Sequence, residues 1–412
     1  MSILKGACIV GQSGGPTSVI NSSVYGVIDT ALKSPAITRV LGADHGITGI
    51  LNDRLFDMGQ EDPDELRLLK YTPSSVLGSC RYKIKNPEED LTDYRRILEI
   101  FKKYDVRYFF YNGGNDSMDT CSKISSFLRD SGYECRVVGV PKTIDNDLYG
   151  TDHTPGFGSA AKYIATTFME VAQDAGVYGK KMVCVIEMMG RQAGWLTAAS
   201  ALATQGFGPD LVYLPEVPFD MDKYLADVGN VLQRKNLCMV AVSHGLQFAD
   251  GSYVSESTTG GGKDAFGHVQ LSGTGAVLAA AAEQAYKIKV RSIELSLLQR
   301  CSSHAGSAVD IEEAFLAGKA AVEAALDGVT DKMIAFERSC EAGEYRCTTK
   351  LIDLADVANA ERNFPLEWIN AEKNGITQDF IDYAKPLIAG EPELPRENFL
   401  PRYAHLKKIQ AE

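Results

Sequence analysis

The stretch ACIVGQSGGPTSVIN, Ala7 to Asn21, decides the fold. ACIVG carries apolar residues without alternation, as a strand buried on both faces of a parallel sheet does. A glycine ends the run, a Ser-Gly-Gly turn follows, and SVINSSVYGVIDTAL (Ser18 to Leu32) takes up helical periodicity. The same order recurs along the chain. Further strands are expected at RYFFYNG (Arg107 to Gly113), RVVGV (Arg136 to Val140), MVCVIEM (Met182 to Met188), LVYLPE (Leu211 to Glu216) and MVAVSHG (Met239 to Gly245). Helices are expected at Asp93 to Tyr104, Ser159 to Ala175 and Asp310 to Leu326, the last rich in strong helix formers. Strands alternating with helices make a doubly wound α/β plan with mostly parallel sheets.

At 412 residues the chain is long enough for two or three domains. Hydrophobic residues at 45% and charged residues at 23% place it among globular proteins. The longest weakly polar stretch, near Gly275 to Ala282, is far shorter than the roughly 18 to 20 apolar residues of a membrane span. MSILKGACIVG runs directly into a strand and leaves no space for a signal peptide, so a cytoplasmic location is expected. The nine cysteines are an odd, scattered set with no C-x-x-C pair, the pattern of reduced and mostly buried thiols. A net charge of −12 argues against general nucleic-acid binding, so any phosphate must be held locally. Pro365, Pro386, Pro392, Pro395 and Pro401 punctuate the last sixty or so residues, which read as an extension packed onto the core.

Three loops leave strand ends with unusual side chains. GQSGGPTSVIN lets backbone N–H groups and a helix N-terminus face an anion, though a plain strand-to-helix turn reads equally well. It has neither the Gly-Lys-Ser/Thr of a Walker loop nor the spaced glycines and ribose-binding acid of a dinucleotide oxidoreductase. NGGNDSMDT (Asn112 to Thr120) repeats the arrangement, and there Ser117 and Thr120 are also candidate helix caps. PKTIDND (Pro141 to Asp147) places a lysine three residues before one aspartate and five before another; an Asx-turn loop is the plainer reading. Three such loops in one chain point to strand ends converging on one ligand.

These motifs, with MMGRQAGW (Met188 to Trp195) and LSLLQRCSSHAGS (Leu295 to Ser307) in the same order, resemble the phosphofructokinase family and its pyrophosphate-dependent branch. The similarity spans roughly residues 5 to 345. It implies two doubly wound, three-layer, Rossmann-like lobes with a C-terminal extension. Residues 1–157 with 300–350 form the phosphoryl-donor lobe, 158–299 the sugar-phosphate lobe and 351–412 the extension. The implied reaction is reversible phosphoryl transfer from diphosphate to the 1-hydroxyl of fructose 6-phosphate, with Mg2+, in glycolysis and gluconeogenesis. A homodimer or homotetramer is implied. An ATP-dependent 6-phosphofructokinase and a catalytically weak regulatory subunit of the same fold stand beside this reading.

By the same resemblance Asp145 is the general base, working without a raised pKa because proton transfer is late. Thr143 binds the sugar or the transferring group, Asp147 steadies the loop and the magnesium waters, and Lys142 clamps the donor. Donor binding falls to Gly11, Gly14, Arg81, Gly114, Asp116 and Ser117. The sugar phosphate falls to Met189, Gly190, Arg191, His244, Arg291 and Arg300, one arginine of the last pair reaching in from a neighbouring subunit. Metal binding falls to Asn115 and Asp116. The family's ATP users carry glycine at the positions of Asp116 and Lys142, so a carboxylate here fills the space of a nucleotide's α-phosphate and repels it. Three departures stand out: Asn115 replaces a metal-associated aspartate, His244 replaces a glutamate on the sugar hydroxyls, and Leu297 stands where ATP users have histidine. A neutral imidazole offers a donor that a carboxylate lacks, so His244 is expected either to lower sugar affinity or to admit another sugar phosphate such as sedoheptulose 7-phosphate.

Overall fold

The structure, a computed structural model, describes residues 4–255, 271–341, 344–358 and 360–412. Met1 to Ile3, the start of the amino-terminal stretch read above, lie outside them. Eleven strands build the two main sheets: β1 (Gly6–Gln12), β2 (Ile37–Ala43), β3 (Leu55–Asp57), β4 (Val106–Gly113), β5 (Arg136–Pro141), β6 (Met182–Met188), β7 (Leu211–Tyr213), β8 (Leu237–Ser243), β9 (Lys289–Glu294), β10 (Lys332–Glu341) and β11 (Glu344–Asp353). The first sheet runs β11-β10-β5-β4-β1-β2-β3, and the second β7-β8-β6-β9.

The second sheet is parallel throughout, and in the first only the outermost pairs, β2 with β3 and β10 with β11, are antiparallel. Continuous apolar strands explain this plan. Ile9, Phe109, Tyr111 and Val137 pack into one core, whereas Cys8, Val10, Tyr108, Phe110, Val138 and Val140 pack into another on the opposite face. Both faces of each central strand are thereby buried, as parallel sheets require. The second sheet likewise lies between two cores, with Cys184 and Ile186 on one side and Val183 and Val185 on the other.

Helix Ile20–Leu32 lies against helix Ala308–Leu326, tied by Ser22 Oγ donating to the Ile311 carbonyl at 2.7 Å. Strand β7 is shorter than expected, stopping at Tyr213. It is an edge strand, and Pro215 beyond it has no N–H to extend the ladder. Strand β9 was not anticipated, because on the other edge its KVRSIE sequence leaves Lys289, Arg291, Ser292 and Glu294 exposed and so lacks an apolar run.

The extension is bound in two places. Phe364, Trp368, Phe380 and Tyr383 surround the buried Trp195 with ring centroids 5.0, 5.9, 6.4 and 5.6 Å away. Burying an aromatic side chain contributes roughly 1.5–3 kcal/mol, so this segment is part of the core. The final residues then run along β3, where Asp57 N–H donates to Ile409 and Ala411 N–H to Leu55, and cover that open edge. Among the described residues no helix is long and apolar enough to cross a membrane. The cysteines described are all free thiols.

Candidate active site

Strands β5, β4 and β1 are neighbours, and their C-terminal ends lie level: Gln12 faces Asn112, and Asn112 faces Val140. The chain leaves β1 for β2 on one side and meets β4 on the other, which makes this sheet end the kind of switch point where α/β proteins bind ligands. The three loops singled out in the sequence start here. Opposite them stand the ends of β6 and β8, where Met188 pairs with Ser243. Between the two sets lies a cleft of about 600 Å³, lined by Gly14, Arg81, Gly114, Asn115, Asp116, Ser117, Lys142, Thr143, Asp145, Asp147, Met189, Gly190, Arg191, His244 and Arg300.

Two expected residues lie elsewhere. Gly11 is buried inside β1, which continues to Gln12, and does not line the cleft. A Cβ there would sit 2.9 Å from the Tyr111 ring, so the glycine serves packing. Arg291 is exposed on the edge strand β9 and does not reach this chain's cleft.

The glycine turn collects positive charge. Gly14 has φ +77°, and a Cβ built on it would lie 3.2 Å from Lys142 Nζ. One built on Gly15 would lie 3.1 Å from an Arg300 guanidinium nitrogen and 4.0 Å from one of Arg81. The guanidinium of Arg300, expected on the sugar phosphate, lies beside this turn, at the end of the short helix Leu298–Cys301. Lys142 is 4% exposed, and burial pushes its pKa down to about 8, with Arg81 and Arg300 adding to the shift and Asp145 and Asp147 opposing it. Burial and Arg81 likewise hold Arg300 below its ordinary value. Three cations held together at a glycine turn suit an anionic ligand.

Buried amides brace that turn. Gln12 donates to Asn21 Oδ1 at 2.9 Å and accepts from Leu77 N–H at 2.9 Å, fixing the segment that leads to Arg81.

In the PKTIDND loop the Thr143 hydroxyl accepts from Asp145 N–H at 3.1 Å and donates to the Asp145 carboxylate at 3.3 Å. The turn is therefore closed by threonine, while Asn146 takes the left-handed conformation at φ +55°. Asp145 was expected to keep an ordinary pKa. Its cleft walls desolvate it and push it up, against Lys142, Thr143, Arg300 and Arg191. Asp147 is pushed up to about 7 by burial, then by Asp145 and Glu361. The cations Lys142, Arg300 and Arg191 oppose the rise at Asp145, whereas Asp145 and Glu361 add to the rise at Asp147.

Helix Asn115–Asp130 opens at Gly114 without a side-chain cap, so the capping reading of Ser117 and Thr120 does not hold. The Thr120 hydroxyl donates instead to the Asp116 carbonyl at 3.0 Å. The Asp116 carboxylate projects into the cleft at the start of this helix and lies 3.7 Å from Lys83 Nζ. Asn115 Oδ1 is buried with no hydrogen-bond partner among the described residues. An orphan amide oxygen beside a carboxylate is an all-oxygen donor pair, and it fits a hard divalent cation.

His244 lines the cleft as a neutral imidazole, pushed down to about 4 by burial and then by Arg191. Its Nε2 accepts from Gly190 N–H at 3.3 Å, which leaves Nδ1–H as a donor. The same motif is pinned by Gln299, which accepts from Met189 N–H at 3.2 Å, and by Glu216, which accepts from Gly194 N–H at 2.8 Å.

Sequence reasoning missed Lys83, Gln192 and Glu361 on the cleft wall. Lys83 follows Arg81 by two residues, a signal that was within reach. Glu361 arrives from the proline-punctuated extension, where no local pattern marks it.

Comparison with known proteins matches this geometry. The phosphofructokinase family model covers residues 7–325. The pyrophosphate–fructose 6-phosphate 1-phosphotransferase of Halomonas elongata is 43% identical over 406 residues, covering 97% of this chain and 96% of that protein. Its counterpart from Methylococcus capsulatus is 42% identical over 97% of this chain and 95% of its own. The crystal structure of a pyrophosphate-dependent phosphofructokinase from Marinobacter aquaeolei superposes with a TM-score of 0.89 at 40% identity, covering 99% of this chain and 98% of that one. Loops, cleft and matched length agree: this chain belongs to the phosphofructokinase family.

Proposed function

We propose that the protein is a pyrophosphate-dependent 6-phosphofructokinase, moving a phosphoryl group reversibly from diphosphate to the 1-hydroxyl of fructose 6-phosphate. One observation carries the reading: Lys142, Arg81 and Arg300 surround the Gly14–Gly15 turn while the Asp116 carboxylate occupies the same cleft. The cations match a small, highly charged donor, and the carboxylate repels a longer nucleotide.

The donor lobe is residues 1–157 with 300–350, the sugar-phosphate lobe 158–299, and 351–412 the extension. Diphosphate sits against the glycine turn with Gly114 and Ser117 at its far side. Met189, Gly190, Arg191 and His244 orient the sugar, and Arg291 serves a neighbouring subunit's 6-phosphate in a homodimer or homotetramer. Asp145 takes the proton of the 1-hydroxyl as that oxygen bonds to phosphorus and the bridging P–O bond breaks. Lys142, Arg81 and Arg300 hold the charge that collects on the departing orthophosphate. Asn115 Oδ1 and Asp116 would hold magnesium, which when bound neutralises charge on the phosphates. The enzyme works in the cytoplasm.

A panel of diphosphate, ATP and polyphosphate against fructose 6-phosphate and sedoheptulose 7-phosphate tests this. Turnover with diphosphate and fructose 6-phosphate is expected, and robust ATP activity would end the reading. Because placing like charges together costs several kcal/mol, Asp116→Gly is expected to raise ATP-supported kcat/KM at least about tenfold.

Lys142 gives a pH signature. Diphosphate binds its ammonium form, which in the free protein is half-titrated at about 8 and is lost as pH rises further. The KM for diphosphate is therefore expected to climb above that pH, by up to roughly tenfold per unit. A profile that stays flat from about pH 7 to about pH 9.5 would count against the role.

A further inference from the structure

The extension reaches the loop that carries Asp145 and grips it by one hydroxyl. Tyr383, on helix Gln378–Ala384, accepts from Asn146 Nδ2 at 3.0 Å and from Arg362 Nη2 at 3.2 Å, and donates to the Asp152 carbonyl at 2.8 Å. A phenolic oxygen has one proton and two lone pairs, so every position is used. Asn146 lies between Asp145 and Asp147, is fully buried, and holds the left-handed conformation; its Oδ1 accepts from Thr154 N–H at 3.0 Å.

Further contacts stiffen the grip. Arg362 N–H donates to the Asp147 carbonyl at 2.7 Å, and its guanidinium donates to the Thr151 and Asp152 carbonyls. That guanidinium also lies 4.3 Å from the ring of Trp195, the last residue of the MMGRQAGW motif. Arg338 stacks on the Tyr383 ring at 4.5 Å and donates to the Tyr383 carbonyl at 2.7 Å. One segment, 362–383, thus ties the loop on the first sheet to the motif on the second.

We propose that Tyr383, acting through Asn146, is a positioning residue that sets where Asp145 stands relative to the sugar hydroxyl. Nothing else from the extension touches the Asn146 side chain among the described hydrogen bonds. A peptide in the left-handed region gains most from a side chain that locks it, since a small rotation there swings both aspartates. This inference rests on the reading of Asp145 as the base.

The test uses the full chain. Tyr383→Phe keeps the ring and its stacking but removes the hydroxyl, and Asn146→Gly keeps the left-handed backbone but removes the amide. Small misplacements of reacting groups are costly, so each variant is expected to lose roughly 10- to 100-fold in kcat, with KM for both substrates within a factor of a few. Because both variants remove the Asn146–Tyr383 bond, the double variant is expected to lose less than the product of the two single losses. A purely structural tie predicts a lowered Tm with kcat within about twofold, or losses that multiply, and either result overturns the proposal, as does a loss confined to KM. Should Tyr383→Phe fail to fold, Asn146→Gly decides by the same kcat criterion. Absence of diphosphate-dependent turnover in the unaltered protein is read first, and it would sink the parent function rather than this step.

Discussion

Asp145→Asn is expected to lower kcat by about two to four orders of magnitude in both directions, the usual effect of deleting a general base. Asparagine keeps the shape and still accepts from the Thr143 hydroxyl, so substrate binding should change far less than turnover. It cannot take the proton of the sugar hydroxyl, nor return one in the reverse direction. Stability separates this from misfolding. The folded protein raises the Asp145 pKa through burial, and a carboxyl raised on folding contributes its stability at low pH and loses it as pH climbs through the folded value. At neutral pH the ionised side chain therefore costs stability, and the neutral amide removes that cost. The Tm of Asp145→Asn should match or exceed that of the unaltered protein at pH 7 while activity collapses. A variant retaining more than about a tenth of kcat would show that another group accepts the proton.

Lys142→Met is expected to weaken the use of diphosphate by about 30-fold to several-thousand-fold in kcat/KM, since removing one partner of a buried charge pair costs about 2–5 kcal/mol. The methionine fills similar volume, but the phosphates then meet an apolar chain where Arg81 and Arg300 had left room for a third cation. The KM for the sugar should move little, because Lys142 faces the glycine turn at Gly14. The rise of diphosphate KM above pH 8 should also vanish, as no ammonium remains to titrate. Asp145 loses its strongest positive neighbour, so its carboxyl should titrate still higher. A kcat/KM for diphosphate within about threefold of the unaltered protein would remove Lys142 from the donor site.

Much of the site was legible because strand ends announce themselves. A continuous apolar run followed by glycine or proline marks where a buried strand stops, and the loops that follow must meet if their strands are neighbours. Glu361 and Tyr383 were not legible. Nothing in a proline-punctuated tail says that residue 361 will enter the cleft or that residue 383 will hold Asn146 across 237 positions of sequence. The resemblance puts Arg300 on the sugar phosphate, and spacing alone cannot say that its guanidinium stands beside the Gly15 turn.

The sequence by itself determined the α/β alternation, the three polar loops and the presence of opposite charges in one of them, because periodicity and turn chemistry are local properties of the chain. Only the tertiary structure decided that β5, β4 and β1 stand side by side, that Gly11 packs against Tyr111 inside β1, and that burial pushes Lys142 down and Asp147 up. Those outcomes depend on which residues remote in sequence surround each group and exclude water from it, and no local pattern carries that information.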